Sequence, residues 1–163
     1  MNDLSGVKAQ KRTQTTLGAK VISNRYIPDN YELTEDIKIE IHNKISCIES
    51  YEDLNNLRLE LTDRFGPVDE ELLTYMYEKL FYSLCKQCGV ENIDIKPKII
   101  TLTLSEEKSS QSDGMYVYKS AYEMSNNFLL SYHDKKIFIS LKLGISSKKA
   151  WLKMLCEYLT KIV

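Results

Sequence analysis

The spacing of apolar residues in this 163-residue chain changes near Gly89. From Ile37 to Leu84, apolar side chains recur every three or four residues, which places them on one face of an α-helix. From Ile93 to Leu104, they alternate with other side chains, as in a β-strand. Helical patterns followed by short strands and further helices are typical of the α+β class, so we predict an α+β fold.

Three helices are predicted before Gly89. The first covers about residues 35–49, with Thr34 as its N-cap. The second begins at the cap residue Ser50 and ends at Gly66, which accepts the left-handed conformation found at helix ends. The third begins at an acidic trio and runs over residues 69–89. Its apolar residues cover more than one stripe, which predicts a central position.

The second half of the chain is predicted to contain short strands, mixed or antiparallel, and a C-terminal helix. Pro97 separates the first two strands. Residues 105–114 contain no apolar side chain and are predicted to be a loop, whereas residues 115–127 fit a helix or a strand equally well. A hairpin is predicted around His133-Asp134-Lys135. The closing helix, residues 146–163, is predicted to place four side chains on one face, namely Trp151, Leu155, Tyr158 and Ile162.

Composition indicates a globular chain with an uneven distribution of charge. Hydrophobic residues make up 43% of the chain and the net charge is −1. Residues 1–25 hold five basic residues and one acid, so we predict a flexible basic linker before a domain at residues 26–163. Such an arm could also bind phosphates, which leaves a small nucleic-acid-binding module as the alternative function. The polar first 25 residues and the absence of a long apolar run predict a cytoplasmic protein without a membrane contact.

The sequence contains little recognisable catalytic chemistry. Cys85 and Cys88 form a CxxC pair at the end of the third helix, and we expect both to be buried thiols rather than a redox or zinc site. His42 and His133 are the only histidines, and neither belongs to a nucleophile motif. Because both phosphate-binding glycine signatures are absent, we expect no enzymatic activity, no metal and no cofactor.

Two segments are more specific than these patterns. YIPDNY at residues 26–31 is followed by IEIHNKI at residues 39–45, and RLELTDRFGP occupies residues 58–67. Together they resemble the C-terminal domain of bacterial transcription-repair coupling factor, the Mfd translocase. The resemblance extends over about residues 26–104.

This resemblance implies a regulatory role within a larger protein. The family's parent protein is an ATP-driven DNA translocase that couples transcription to nucleotide excision repair, and its C-terminal domain has no motor residues. The resemblance implies that this domain packs on the N-terminal repair-like module of the same protein and masks the surface that binds UvrA, which would be autoinhibition. RNA polymerase and DNA would be partners only through the parent. The charged residues predicted to make the intramolecular contact are Lys44, Arg58, Asp63 and Arg64.

Overall fold

The computed structural model describes residues 34–163, and its elements confirm an α+β fold. The elements are, in order, α1 (Glu35–Ser46), α2 (Tyr51–Phe65), α3 (Glu70–Gln87), β1 (Val90–Ile95), β2 (Ile99–Leu104), α4 (Glu106–Gln111), α5 (Gly114–Met124), β3 (Phe128–His133), β4 (Lys136–Lys142) and α6 (Lys148–Ile162). They divide into a helical part, residues 34–87 and 146–161, and a sheet part, residues 88–145. The predicted linker at residues 1–25 and the YIPDNY segment lie outside the described residues.

The first two helices begin at the predicted caps. The side chain of Thr34 accepts a hydrogen bond from the N–H of Ile37, and that of Ser50 accepts one from Asp53. Helix α1 ends at Ser46, three residues before the predicted end. It ends there because the next two N–H groups bond to carbonyls three residues back, and because Ser50 adopts the extended conformation of a cap.

The core of the helical part contains the predicted apolar stripes. Leu54, Leu57 and Leu61 of α2 are buried, and Phe65 is partly exposed. Helix α6 contributes Trp151, Leu155 and Tyr158 from its predicted face, while Ile162 is partly exposed. Helix α3 is buried over much of its circumference, as predicted, at Leu72, Leu73, Met76, Tyr77, Leu80, Phe81, Leu84 and Cys85. The core therefore forms from helical periodicity that is visible in the sequence.

One ion pair lies within this apolar environment. The carboxylate of Glu78 on α3 is 1% exposed and lies 3.7 Å from the Lys148 ammonium in the first turn of α6. On the same two helices, Lys149 donates a hydrogen bond of 2.8 Å to the more exposed Glu70. Both lysines in the first turn of α6 therefore pair with acids of α3.

Helix α3 ends two residues before the end of its predicted range. The helix ends at Gln87, so Cys88 lies just beyond the last turn in which it was predicted, and Gly89 adopts a φ of +73°. A Cβ at Gly89 would lie 2.8 Å from the Cβ of Lys108, which only glycine avoids. Cys85 and Cys88 are both fully buried, as predicted.

The sheet part contains one four-stranded antiparallel sheet with the order β1-β2-β4-β3. The predicted hairpin joins β3 and β4. Its two turn residues, Asp134 and Lys135, have φ values of 53° and 65°, the left-handed pair that matches the twist of a two-residue hairpin. The strand break at Pro97 is also confirmed.

The predicted loop at residues 105–114 is wrong, because α4 occupies most of it. Ser105 caps this helix by accepting a hydrogen bond from Lys108, and two glutamates follow in the first turn. These are the local helix-start signals, which outweigh the absence of apolar residues in so short a helix. Asp113 then caps α5 through the N–H groups of Met115 and Tyr116, so most of residues 115–127 is helical.

Candidate interaction surface on the first two helices

The four predicted contact residues lie on α1 and α2. Lys44 is in the last turn of α1, and Arg58, Asp63 and Arg64 are on α2. Two helices joined by so short a connection are antiparallel neighbours, and the ion pairs confirm this arrangement. The end of one helix therefore lies beside the beginning of the other.

Lys44 and Arg64 belong to a cluster of four charges between the two helices. The Lys44 ammonium donates a 2.7 Å hydrogen bond to Glu60 and lies 3.7 Å from Glu40. The Arg64 guanidinium bonds both carboxylate oxygens of Glu40, at 2.9 and 3.3 Å, and reaches Glu60 at 3.1 Å. It also lies 4.8 Å from the centre of the Phe65 ring. We call Glu40, Lys44, Glu60 and Arg64 the four-charge cluster.

Hydrogen bonds within the four-charge cluster shift the pKa values of its members. The bond from Arg64 is the main cause of the lowered pKa of Glu40, and the bond from Lys44 has the same effect on Glu60. In return, Glu60 raises the pKa of Lys44, and Glu40 raises that of Arg64. All four groups therefore stay charged near neutral pH, and their charges cancel.

Arg58 and Asp63 differ from the other two candidates. Both are exposed, and neither forms an ion pair with the residues that the structure describes. The guanidinium of Arg58 lowers the pKa of Tyr77 slightly, although burial dominates and leaves that pKa raised. The structure thus brings Lys44 and Arg64 together and leaves Arg58 and Asp63 as separate outward charges.

Sequence reasoning missed the two acids of the four-charge cluster. Glu40 precedes Lys44 by four residues, and Glu60 precedes Arg64 by four residues. Acid-to-base pairs at this spacing lie on one face of a helix, in the favourable order. Two such pairs in consecutive helices were the signal that predicts a shared cluster when the helices are antiparallel.

Burial shifts the pKa values of two cysteines and one histidine. Burial raises the pKa of Cys88 to about 11 and raises that of Cys156 as well, so neither is a ready thiolate. His42 shares a 2.9 Å hydrogen bond with the Tyr75 hydroxyl, and burial lowers its pKa. Within residues 34–163, no three metal-ligating side chains come together, and no helix is long and apolar enough to span a bilayer.

Comparison with known proteins identifies the family. The TRCF domain model matches residues 22–115, more than half of the chain. The chain belongs to the transcription-repair coupling factor family. The transcription-repair coupling factor of Staphylococcus haemolyticus is 28% identical over 154 residues, which are 93% of this chain and 13% of that protein. The Bacillus subtilis protein is 30% identical over 129 residues, which are 78% of this chain and 11% of that protein.

A solved structure shares the fold of this chain. The crystal structure of a C-terminal domain of transcription-repair coupling factor superposes with a TM-score of 0.77, at 19% identity, and covers 88% of this chain and 89% of that one. This likeness confirms the fold. The chain contains a TRCF domain, and it spans about one eighth of the length of the curated relatives it matches.

Proposed function

We propose that this chain is a non-catalytic regulatory domain of a DNA translocase that couples transcription to nucleotide excision repair. It packs on the N-terminal repair-like module of its parent and masks the surface that binds UvrA. Membership of the transcription-repair coupling factor family carries this proposal. The 19% identical structural relative supports the fold alone, so the regulatory step rests on the surface of α1 and α2.

Within that surface, Arg58 and Asp63 are the better contact residues. Both are exposed charges whose side chains have no ion pair to give up among residues 34–163. Lys44 and Arg64 would first have to exchange Glu40 and Glu60 for groups on the partner. The proposal therefore assigns the direct contact to Arg58 and Asp63, and assigns the four-charge cluster the role of holding α1 and α2 in place.

A contact built on exposed charges suits reversible masking. Exposed ion pairs contribute little each, about 0–1 kcal/mol, and weaken as salt rises. Tethering in one polypeptide compensates, because a short flexible linker raises the effective concentration to roughly the millimolar range. Such a contact closes in the resting parent protein and opens without a large barrier.

A binding titration between this chain and the separately expressed N-terminal module tests the proposal. We expect weak, salt-sensitive binding that is reduced by Arg58→Glu and by Asp63→Arg. The matched control is Lys119→Glu, which changes an exposed charge on α5 in the sheet part and should leave the affinity unchanged. Added UvrA should compete with this chain for the module.

Two results would contradict this function. If the two pieces do not associate even when a flexible linker joins them, the proposed intramolecular contact is wrong. Simultaneous binding of UvrA and this chain to one module would contradict masking, while the intramolecular contact itself would stand. The alternative function, nucleic-acid binding through the basic arm, rests on residues 1–25, outside the described part of the chain.

A further inference from the structure

The sheet part has one buried face and one exposed face. Directly paired residues of antiparallel strands point to the same side of the sheet. One side carries two apolar rows, Ile93–Leu102–Ile139–Leu130 and Ile95–Ile100–Leu141–Phe128. The other side carries the rows Asp94–Thr101–Ser140–Leu129 and Asn92–Thr103–Phe138–Ser131, with Ile99 and Lys142 beyond one end and Lys136 and His133 beyond the other. We call this second side the outer face.

Small hydroxyl side chains and one pair of stacked rings dominate the outer face. Thr101 and Ser140, on the two central strands, share a 2.9 Å hydrogen bond between their hydroxyls. The imidazole of exposed His133 stacks on the ring of Phe138, with centroids 4.1 Å apart and planes 11° from parallel. Of all twelve residues on this face, Thr103 alone is buried. The outer face is therefore a polar, accessible surface with a flat aromatic element.

Lysines border the outer face, and two of them have no ion-pair partner in the described part of the chain. Lys136 pairs with Glu91, and Lys96 lies 3.6 Å from Asp94. Lys98 and Lys142 are exposed and form no ion pair with residues 34–163. Lys98 lies in the turn between β1 and β2, and its carbonyl accepts a 2.9 Å hydrogen bond from the N–H of Leu143, the residue after Lys142. Both lysines therefore lie at the same end of the sheet, which is locally basic although the whole chain has a net charge of −1.

We propose that the outer face binds single-stranded nucleic acid. Lys98 and Lys142 contact backbone phosphates, and one base stacks on the exposed side of the His133–Phe138 pair. Lys142 follows Phe138 by four positions in β4, about 13 Å along the strand, so a short extended segment reaches both elements. Four-stranded sheets with exposed rings bind unstacked bases in this way, and the hydroxyls between the two elements supply hydrogen bonds.

A single strand fits this surface better than a duplex. The bases of a duplex are stacked on each other, so their faces are unavailable to the imidazole of His133. The proposal uses none of the residues of α1 and α2, and it is independent of the masking function.

Fluorescence anisotropy with a labelled 20-nucleotide thymidine strand and the full 163-residue chain tests this proposal. We expect weak binding, with a dissociation constant on the order of 10⁻⁴ M, at low salt. The double variant Lys98→Glu/Lys142→Glu should bind at least about tenfold more weakly. The slope of the logarithm of its binding constant against the logarithm of the salt concentration should be shallower by about 1.4, which is the contribution of two phosphate contacts on a single strand. Lys119→Glu/Lys153→Glu makes the same change in charge at exposed helical positions and should bind within about twofold of the parent chain.

A second pair of variants tests stacking separately from charge. His133→Ala should weaken binding about fivefold or more and leave the salt dependence unchanged, because stacking does not release counterions. Tyr132→Ala is the matched control. Tyr132 is the preceding residue of β3, is also exposed, and points to the opposite side of the sheet. Its removal should leave the affinity unchanged.

Each remaining outcome contradicts the proposal. No binding at low ionic strength would exclude the site. Equal binding of a 20-base-pair duplex, together with no effect of His133→Ala, would indicate charge attraction alone. Binding that survives Lys98→Glu/Lys142→Glu and disappears when residues 1–25 are deleted would assign it to the basic arm. Unchanged thermal unfolding of the four variants ensures that these results report the surface and not the fold.

Discussion

The helical part and the sheet part expose charge in different ways. On α1 and α2, the four-charge cluster pairs two acids with two bases, so those charges stabilise the local structure and cancel each other. On the outer face of the sheet, Lys98 and Lys142 have no such partners among the described residues, and small hydroxyls surround an exposed ring. The number of charged residues does not distinguish the two surfaces. Whether each charge has an ion-pair partner does distinguish them.

This difference decides which charges are available to a partner. A paired lysine such as Lys44 must lose a 2.7 Å hydrogen bond before it contacts anything else. A lysine without an ion pair in the described chain, such as Lys142, loses only hydration and side-chain freedom. The same reasoning distinguishes Arg58 and Asp63 from Lys44 and Arg64. Interaction surfaces on this domain are therefore better sought at unpaired charges than at the densest charges.

The largest effect that we predict is a loss of packing in the helical part. Leu61 of α2 is fully buried, so Leu61→Ala should reduce the free energy of unfolding by about 2–5 kcal/mol. Denaturant titration followed by circular dichroism measures this change. Leu59→Ala is the control on the same helix, since Leu59 is 68% exposed and its loss should change the stability by less than about 0.5 kcal/mol. Equal effects of the two substitutions would contradict the predicted helical face.

Sequence patterns predicted the helical part more completely than the sheet part. The stripe of Leu54, Leu57 and Leu61 and the cap at Ser50 are local signals, and the structure confirms them. The strand order β1-β2-β4-β3 depends on pairing between distant segments, which no local pattern specifies. Helix α4 was missed because it is six residues long, too short for apolar periodicity, although Ser105 and its following glutamates were visible.

A second, smaller effect is predicted where the sheet part begins. Gly89→Ala should reduce the free energy of unfolding by about 1–3 kcal/mol, because alanine is strained at a φ of +73° and its Cβ would lie 2.8 Å from the Lys108 Cβ. Gly114→Ala is the control within the sheet part, where a new Cβ would meet no atom within 4 Å. Thermal unfolding compares the two variants. A Gly89→Ala protein as stable as the parent chain would show that the backbone moves to relieve both conflicts.

The candidate surface on α1 and α2 was partly predictable, for a related reason. Lys44 and Arg64 were recognised as charges near a helix junction, but their shortest ion pairs are with residues of the opposite helix. Spacing within one helix predicts which residues share a face, and the direction of the neighbouring helix determines which faces meet. The antiparallel arrangement of α1 and α2 is therefore needed to decide whether a charged residue stabilises the fold or is available to a partner.

The smallest predicted effect concerns pH and the four-charge cluster. Hydrogen bonds from Arg64 and Lys44 lower the pKa values of Glu40 and Glu60 below the usual 4.5, so the folded chain binds fewer protons than the unfolded chain near that pH. Their stabilisation is therefore complete above the ordinary carboxyl range and is lost as pH falls through the lowered values. The raised pKa of Lys44 places the upper limit above 10.5, far from this transition. The thermal unfolding temperature of Glu40→Gln/Glu60→Gln should lie slightly below that of the parent chain at pH 7, and the two should converge as the pH falls through the lowered pKa values. A difference that persists after both carboxyls are protonated would mean that packing of the two glutamates, and not their charge, stabilises the helical part.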